Sequence, residues 1–421
     1  MNLKICHLLP HLGGGVGKAI TTLVQSTASL NISHDFILFE NPVKKQFYEK
    51  IIDLGCDIFV TPDRKTVDKL VRCSDIIQLE WWNHPATFQF LCDQDLPKMR
   101  LLIWSHVSGL HFPLIPIKLI SIADMFLFTS ECSYQAENIV GLDEKYKSRL
   151  DVVSSGVGFS QENYARKADH PFPCFGYMGS LNPSKLYPQF IDYLSYATVD
   201  NFKVHIWGDE YYKDVLVNKC RQIGKKDLIE FHGYTTNPAD VLRDLDVFVY
   251  LLNPSHYGTA ENVLLEAMSL GVVPIVMNNP AETAIVDHDE TGFVVSSPKE
   301  FAETVEWLFE NPLEIKRIAT NASEKIAGYY TPEIMADAIN IHYDYLMNCS
   351  KKIVDFRDVL GKDPYEWYMA CQDTNKCNEG MDDFNNYKQV EETKGSLKHY
   401  ISYFPDNIRL KYLADTALTN S

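Results

Sequence analysis

The feature that most constrains this chain is a rhythm. Short apolar runs rich in Ile, Val, Leu and Phe recur along it, each broken by glycine, proline or polar residues and followed by a stretch with helical spacing. The runs fall at 5–9, 36–39, 58–60, 76–79, 101–104 and 125–128, and resume after a gap at 175–178, 204–207, 247–252, 273–277 and 293–295. Continuous apolar runs of this length are what strands buried on both faces look like. Their alternation with helices predicts βαβ units and parallel sheets. A chain of 421 residues exceeds what one hydrophobic core usually serves. The expected class is therefore α/β, with two doubly wound, Rossmann-like domains.

The break between them is expected in "GVGFSQENYARKADHPFP", residues 156–173, which has glycines, prolines and polar residues without a period. This gives domains at 1–160 and 173–330, followed by a helical extension at 331–421. Pro332 stands where a first-turn proline would, with Thr331 as its cap. Within the extension, 363–395 is aromatic-rich and weakly periodic, and "SLKHYISYFPDNIRLKYLADTAL" is a further helical candidate. Tyr365, Trp367 and Tyr368 are expected to fasten the tail to the N-terminal domain rather than to a membrane, because no basic amphipathic face accompanies them.

Net charge is −17, and residues 156–350 carry 27 acidic against 14 basic side chains. That balance argues against nucleic acid as a partner, since phosphate backbones need clustered Lys and Arg. The ten cysteines lack paired spacing and a histidine-rich companion cluster, so reduced thiols are expected rather than a zinc site. The N-terminus does not read as a signal peptide and no run of about 18 apolar residues occurs. The expected location is cytoplasmic, with at most peripheral contact to the inner face of the membrane.

Two stretches suggest a ligand. "HLLPHLGGGVGKAITTLV", residues 7–24, reads as strand, tight turn and helix. Glycines let backbone N–H groups converge, and a helix N-terminus carries partial positive charge, so Gly13, Gly14 and Gly15 form a candidate anion site. A P-loop is excluded because Leu12 and Ala19 stand where Gly and Ser/Thr are needed, and the G-x-G-x-x-G spacing is absent. The second stretch is "HYGTAENVLLEAMSLGVVPIVMN", residues 256–278. Thr259, Ala260, Glu261 and Asn262 would approach and open a helix. Glu266, about one turn inside it, could accept two ribose hydroxyl hydrogen bonds.

At "ENVLLEAMSLGVVPIV" the sequence resembles the signature of family 4 retaining glycosyltransferases, which have the GT-B fold and an E-x7-E motif. Further pieces follow in the same order. "GYMGSLNPSK" resembles the loop that gives a basic residue to the donor diphosphate, "VHIWGDE" the following strand, and "IEFHGY" the loop against the base. "LLIWSHVSG" resembles the strand ending in a donor-contacting histidine, and the "GGG" turn the N-terminal glycine loop. The resemblance covers roughly residues 1–345. It implies domains facing across a cleft, a nucleotide-sugar donor, retention of configuration, and no metal or cofactor. It implies catalytic roles for His106, Lys185 and Glu261. It implies donor contacts from Gly13, Gly14, Gly15, Ser180, Gly233, Tyr234, Gly258, Thr259, Ala260, Asn262, Val263 and Glu266. Two positions depart from the pattern. Gly258 stands where the first glutamate of E-x7-E belongs, Glu261 being the nearest carboxylate, and Ser180 replaces an arginine, leaving Lys185 alone.

"EWWNHP" ends another strand, and Glu80, Trp81 and His84 could touch a glycan, glycolipid or glycoprotein acceptor, or form a packed aromatic corner. Asp-x-Asp pairs at Asp93/Asp95, Asp244/Asp246 and Asp287/Asp289 read as surface residues or caps. The leading expectation is a hexosyl-type glycosyltransferase of polysaccharide, glycolipid or glycoprotein glycan synthesis. The alternatives are an epimerase or hydrolase of nucleotide sugars with the same fold, and a catalytically dead nucleotide-sugar-binding subunit. A nicotinamide-dependent dehydrogenase lacks its glycine fingerprint.

Overall fold

The computed structural model describes residues 3–156, 170–372 and 395–419. The chain divides into two compact units, one of Met1–Gly156 with Pro332–Ser421 and one of Val157–Thr331.

The first unit holds a sheet of β1 (Leu3–Leu9), β2 (Ile32–Leu38), β3 (Asp57–Val60), β4 (Ile76–Trp81), β5 (Leu101–Ser105), β6 (Met125–Phe128) and β7 (Leu150–Val152). All pairings are parallel, in the order β3-β2-β1-β4-β5-β6-β7. The second unit holds β8 (Phe175–Met178), β9 (Val204–Trp207), β10 (Ile229–Gly233), β11 (Val247–Tyr250), β12 (Val273–Met277) and β13 (Phe293–Val295). These are again parallel, in the order β10-β9-β8-β11-β12-β13. Each unit is thus a doubly wound, Rossmann-like domain.

Two strands were not among the apolar runs, β7 and β10, and both lie at sheet edges. Asp151, Glu230 and His232 face solvent there, so the continuous apolar signature of a doubly covered strand is lost. The "IEFHGY" segment is accordingly strand as far as Gly233, not loop, and only Tyr234 lies beyond it.

In both units the strand order reverses once, between β1 and β4 and between β8 and β11. Loops at the carboxyl ends of the strands flanking such a reversal form the natural ligand crevice of an open α/β sheet. The loops after β1, β4, β8 and β11 carry most of the candidate residues, while His106 follows β5 and Gly233 and Tyr234 lie at the end of β10.

The C-terminal extension belongs to the first unit. Its helix begins at Pro332 and buries Met335, Ile339, Tyr343 and Leu346 against Ile5, Trp104 and Leu127. Trp367 and Tyr368 are buried, Trp367 lying against Phe88 and Phe404, while the Arg409 guanidinium sits 3.9 Å over the Tyr365 ring. The "SLKHYISYFPDNIRLKYLADTAL" segment forms two helices, Leu397–Tyr403 and Ile408–Thr419. Most of the weakly periodic aromatic stretch lies outside the described residues. Among the described residues, no helix is long and apolar enough to cross a membrane.

Candidate active site

In the second unit the loop after β8 is fixed by side chains. Asn182 Oδ1 accepts from the Lys185 amide at 3.0 Å and from the Ser184 hydroxyl at 2.7 Å. Asn253, beyond β11, donates from its backbone N–H to the Lys185 carbonyl at 2.7 Å and from its Nδ2 to the Pro183 carbonyl at 2.8 Å. The loops on either side of the reversal are stapled together, and Lys185 is held at the staple.

Glu261 precedes the helix Asn262–Ser269 in the left-handed region, with φ 40° and ψ 56°. That conformation is uncommon for a residue with a side chain. The carboxylate does not cap its helix. It turns inward, where the Tyr250 hydroxyl donates to it at 2.5 Å and the Lys185 ammonium lies 3.0 Å away. Burial works to raise its pKa, but Lys185, His256 and Tyr250 together hold it below the ordinary carboxylate range. Burial and the Glu261 charge push the Tyr250 phenol far up, so it stays a donor.

Gly258 explains how this fits. A Cβ there would sit 1.9 Å from a Glu261 carboxylate oxygen and 2.7 Å from His256 Nδ1. The Glu261 carboxylate thus fills the volume in which a side chain at 258 would begin. The Gly258 amide donates to His256 Nδ1 at 2.9 Å, which places the ring proton on Nε2, facing Glu282 Oε2 at 3.3 Å. Tyr250, Asn253, His256 and Glu282 were missed from sequence. The signal available was a set of polar residues in and after the most apolar strands.

Of the other donor candidates, Ser180 is half-buried and its carbonyl accepts from the Tyr177 hydroxyl at 2.9 Å. Thr259 is buried, and Ala260, Asn262 and Val263 are half-buried around the helix start. Glu266 is 4 % exposed, so it is not a solvated helix residue. Gly233 and Tyr234 lie apart from these, at the end of the edge strand β10, with Tyr234 exposed.

In the first unit, Gly13 precedes the helix Gly14–Thr27, and Gly14 and Gly15 are exposed. Gly14 has φ 61°, while Gly17 is required by packing, since a Cβ there would meet the Leu12 carbonyl oxygen at 2.5 Å. The structure moves the acceptor reading off two residues. Trp81 is fully buried, edge-on to Phe88, so the packed corner is what forms there. Glu80 is also fully buried and its two oxygens take different histidines, His7 Nδ1 at 2.7 Å and His106 Nε2 at 2.8 Å. The two side chains lie on opposite faces of β4, and neither has exposed surface. Trp82, half-buried near His11, His84 and His106, is the aromatic that remains at this strand end.

His84 is buried and begins the helix Pro85–Cys92, its Nδ1 accepting from the Ala86 amide at 3.2 Å. Burial, with His399 and His11 nearby, lowers its pKa to about 2, so it is a neutral ring. Among the described residues, His11, Glu40 and His84 place possible ligand atoms within 4.8 Å of one another, as do His205, Glu230 and His232. In the first group His11 Nδ1 and His84 Nδ1 both accept main-chain amide hydrogens, from Gly13 at 3.1 Å and Ala86. Their protons therefore sit on Nε2, which makes those atoms donors rather than metal ligands. The Asp-x-Asp residues serve locally: Asp95 pairs with Arg64, Asp287 with Lys325, and Asp246 accepts from the Cys174 amide.

Residues 161–325 match the family model described as glycosyl transferases group 1. Over 87 residues the chain is 31% identical to glycosyltransferase 1 domain-containing protein 1 of Xenopus tropicalis, covering 21% of this chain and 25% of that protein. The chain spans about a quarter of the length of the curated relatives it matches. Among solved structures, a glycosyltransferase from Rickettsia africae superposes with a TM-score of 0.65 at 12% identity, over 83% of this chain and 100% of that one. HepE from Anabaena, solved in complex with UDP-glucose, does so with a TM-score of 0.62 at 16% identity, over 82% and 100%. The fold is shared with these GT-B glycosyltransferases, and the segment that matches the group 1 model falls in the second unit.

Proposed function

We propose that this protein is a retaining, metal-independent glycosyltransferase that moves a sugar from a nucleoside diphosphate to a glycan or glycolipid acceptor. The observation that carries the reading is the position of Lys185, Gly258 and Glu261, brought together by the two loops that flank the strand reversal of the second unit. Breaking a sugar–phosphate bond leaves negative charge on the diphosphate. The Lys185 ammonium and the amides at the start of the Asn262–Ser269 helix are donors of the kind that stabilise it, each contributing about 3–4 kcal/mol when pre-aimed at developing charge. Buried Glu266, in the second turn of that helix, is the carboxylate proposed for the ribose hydroxyls. UDP-glucose is bound by the Anabaena neighbour, which makes UDP-sugars the first donors to try.

One specific feature favours the catalytically dead, binding-only alternative. Glu261 already neutralises Lys185, so an incoming diphosphate competes with a carboxylate for that cation. Thermal-shift titration of the full chain with UDP-, GDP-, ADP- and CMP-sugars identifies the donor, because binding to the native state raises the melting temperature by mass action. Donor consumption with and without acceptor then separates transfer from hydrolysis or epimerisation. A stabilising donor that is never consumed establishes the binding-only reading, and no stabilisation by any donor refutes both.

A further inference from the structure

His106 is the outer end of a buried polar chain whose other members the proposed chemistry does not use. From His106 Nε2 it passes through Glu80 to His7 Nδ1, from His7 Nε2 to His34 Nδ1 at 2.8 Å, and from His34 Nε2 to the Thr27 hydroxyl at 2.9 Å. Glu80, His7 and Thr27 are wholly buried, and His34 is 4 % exposed. Gln78 Nε2 donates to Glu80 Oε1 at 2.8 Å, its amide oriented by the Tyr343 hydroxyl, which donates to Gln78 Oε1 at 2.6 Å. The sheet register explains the line: His7 lies beside Gln78 across β1 and β4, and Ile5 beside His34 across β1 and β2.

One proton arrangement along this chain places the charge on its buried side. Glu80 accepts from Gln78 and meets both histidines; burial works to raise its pKa, but His106 and His7 hold it below the ordinary carboxylate range. A carboxylate with no exposed surface needs a cation beside it. Two imidazoles touch it, and they differ in what their second nitrogen meets. His7 Nε2 meets a ring nitrogen of His34, which burial keeps neutral. For that nitrogen to accept, His34 must carry its proton on Nε2 and donate to Thr27. The Thr27 hydroxyl is free to accept there because its own proton goes to the Leu23 carbonyl at 2.7 Å, the shorter of its two contacts. Every donor then has an acceptor. The Tyr343 phenol on this face does not compete, being pushed far up by burial and by Glu80, and Asp35, on the opposite face of β2, pairs with Lys4 at 2.7 Å.

We propose that His7 carries the positive charge of this chain, so that His106 is held neutral with its proton on Nε2 and its Nδ1 lone pair available to accept from a ligand hydroxyl. His7, His34 and Thr27 are positioning residues that act through Glu80. The functional meaning of this rests on the reading of His106 as a donor contact, but the protonation pattern does not.

The test is nitrogen NMR of the full-length chain labelled with 15N-histidine, each ring assigned by single substitution. At neutral pH His7 should show two protonated ring nitrogens and His106 one, on Nε2. In Thr27→Val, which keeps the side-chain shape, His34 loses the acceptor for its Nε2 proton and should shift that proton to Nδ1. His7 then becomes neutral and His106 should gain a second proton. His7→Gln should do the same directly. A singly protonated His7 in the unmodified chain overturns the proposal, as does a His106 pattern unchanged in Thr27→Val. The donor contact is judged separately: unchanged turnover in His106→Ala, alongside the expected spectra, refutes that role and leaves the charge assignment standing.

Discussion

Lys185→Met is the perturbation whose outcome follows most directly from the geometry. It removes the ammonium 3.0 Å from the Glu261 carboxylate and keeps the length of the stem. At that distance Coulomb attraction is about 5–6 kcal/mol at an effective dielectric of 20. The net loss is smaller, because Lys185 is 20% exposed and its desolvation is refunded. We expect about 2–4 kcal/mol, since Glu261 is left buried without its cation. Glu261→Gln in the same chain should return most of it, because the stranded charge is gone. The pH dependence fixes the sign. Glu261 has a lowered pKa in the folded chain, so its stabilisation is present above the unfolded carboxylate value and is lost as pH falls through the folded one. In Lys185→Met burial dominates and the carboxyl titrates above its ordinary range. The deficit relative to the unmodified chain should therefore be full near pH 7, shrink as pH falls through the variant's raised carboxyl value, and be small below about pH 4. Urea unfolding followed by circular dichroism at both pH values measures it. Turnover separates the roles: both variants should lose about a hundredfold or more in kcat, whatever their stability. An equal deficit at both pH values, or a double variant no more stable than Lys185→Met, would refute the charge-pair reasoning.

Three further outcomes follow from packing. Gly258→Ala should cost about 1–3 kcal/mol by thermal unfolding and displace the Glu261 carboxylate, and Glu261→Ala in the same chain should relieve part of it, since one of the two close contacts disappears. Gly17→Ala should destabilise more than Gly14→Ala: the first drives a Cβ into the Leu12 carbonyl, while the second meets open space and bears only the cost of φ 61°. Trp81→Ala should lower stability by about 3–5 kcal/mol, as for any fully buried aromatic, whereas Trp82→Ala should alter KM for the acceptor at nearly unchanged melting temperature.

Much of this molecule was legible in its sequence. The apolar runs gave nearly every strand, because a strand covered on both faces has no polar residues to hide it. They failed at β7 and β10, where Asp151, Glu230 and His232 face solvent at a sheet edge and the pattern is no longer apolar. The loops that bear Lys185 and Glu261 were found through the resemblance to a family motif, and that motif also showed that Gly258 lacks the expected carboxylate.

Spacing could not show that Glu261, three residues on, would turn its carboxylate back into the volume beside Gly258. That depends on a left-handed residue, a lysine 76 positions earlier and a tyrosine at the end of β11, all placed by the fold. The same holds in the first unit. Glu80 and Trp81 sit at a strand end beside polar residues, and one-dimensional reasoning puts them at a ligand surface. Strand pleat and parallel register turn them inward instead, Trp81 to the core and Glu80 between His7 of β1 and His106 just beyond β5. Local pattern determines which segments become strand and helix, since that is set by neighbours in the chain. Which polar groups meet, and so which are charged, is set by register between segments far apart, and only the folded chain decides it.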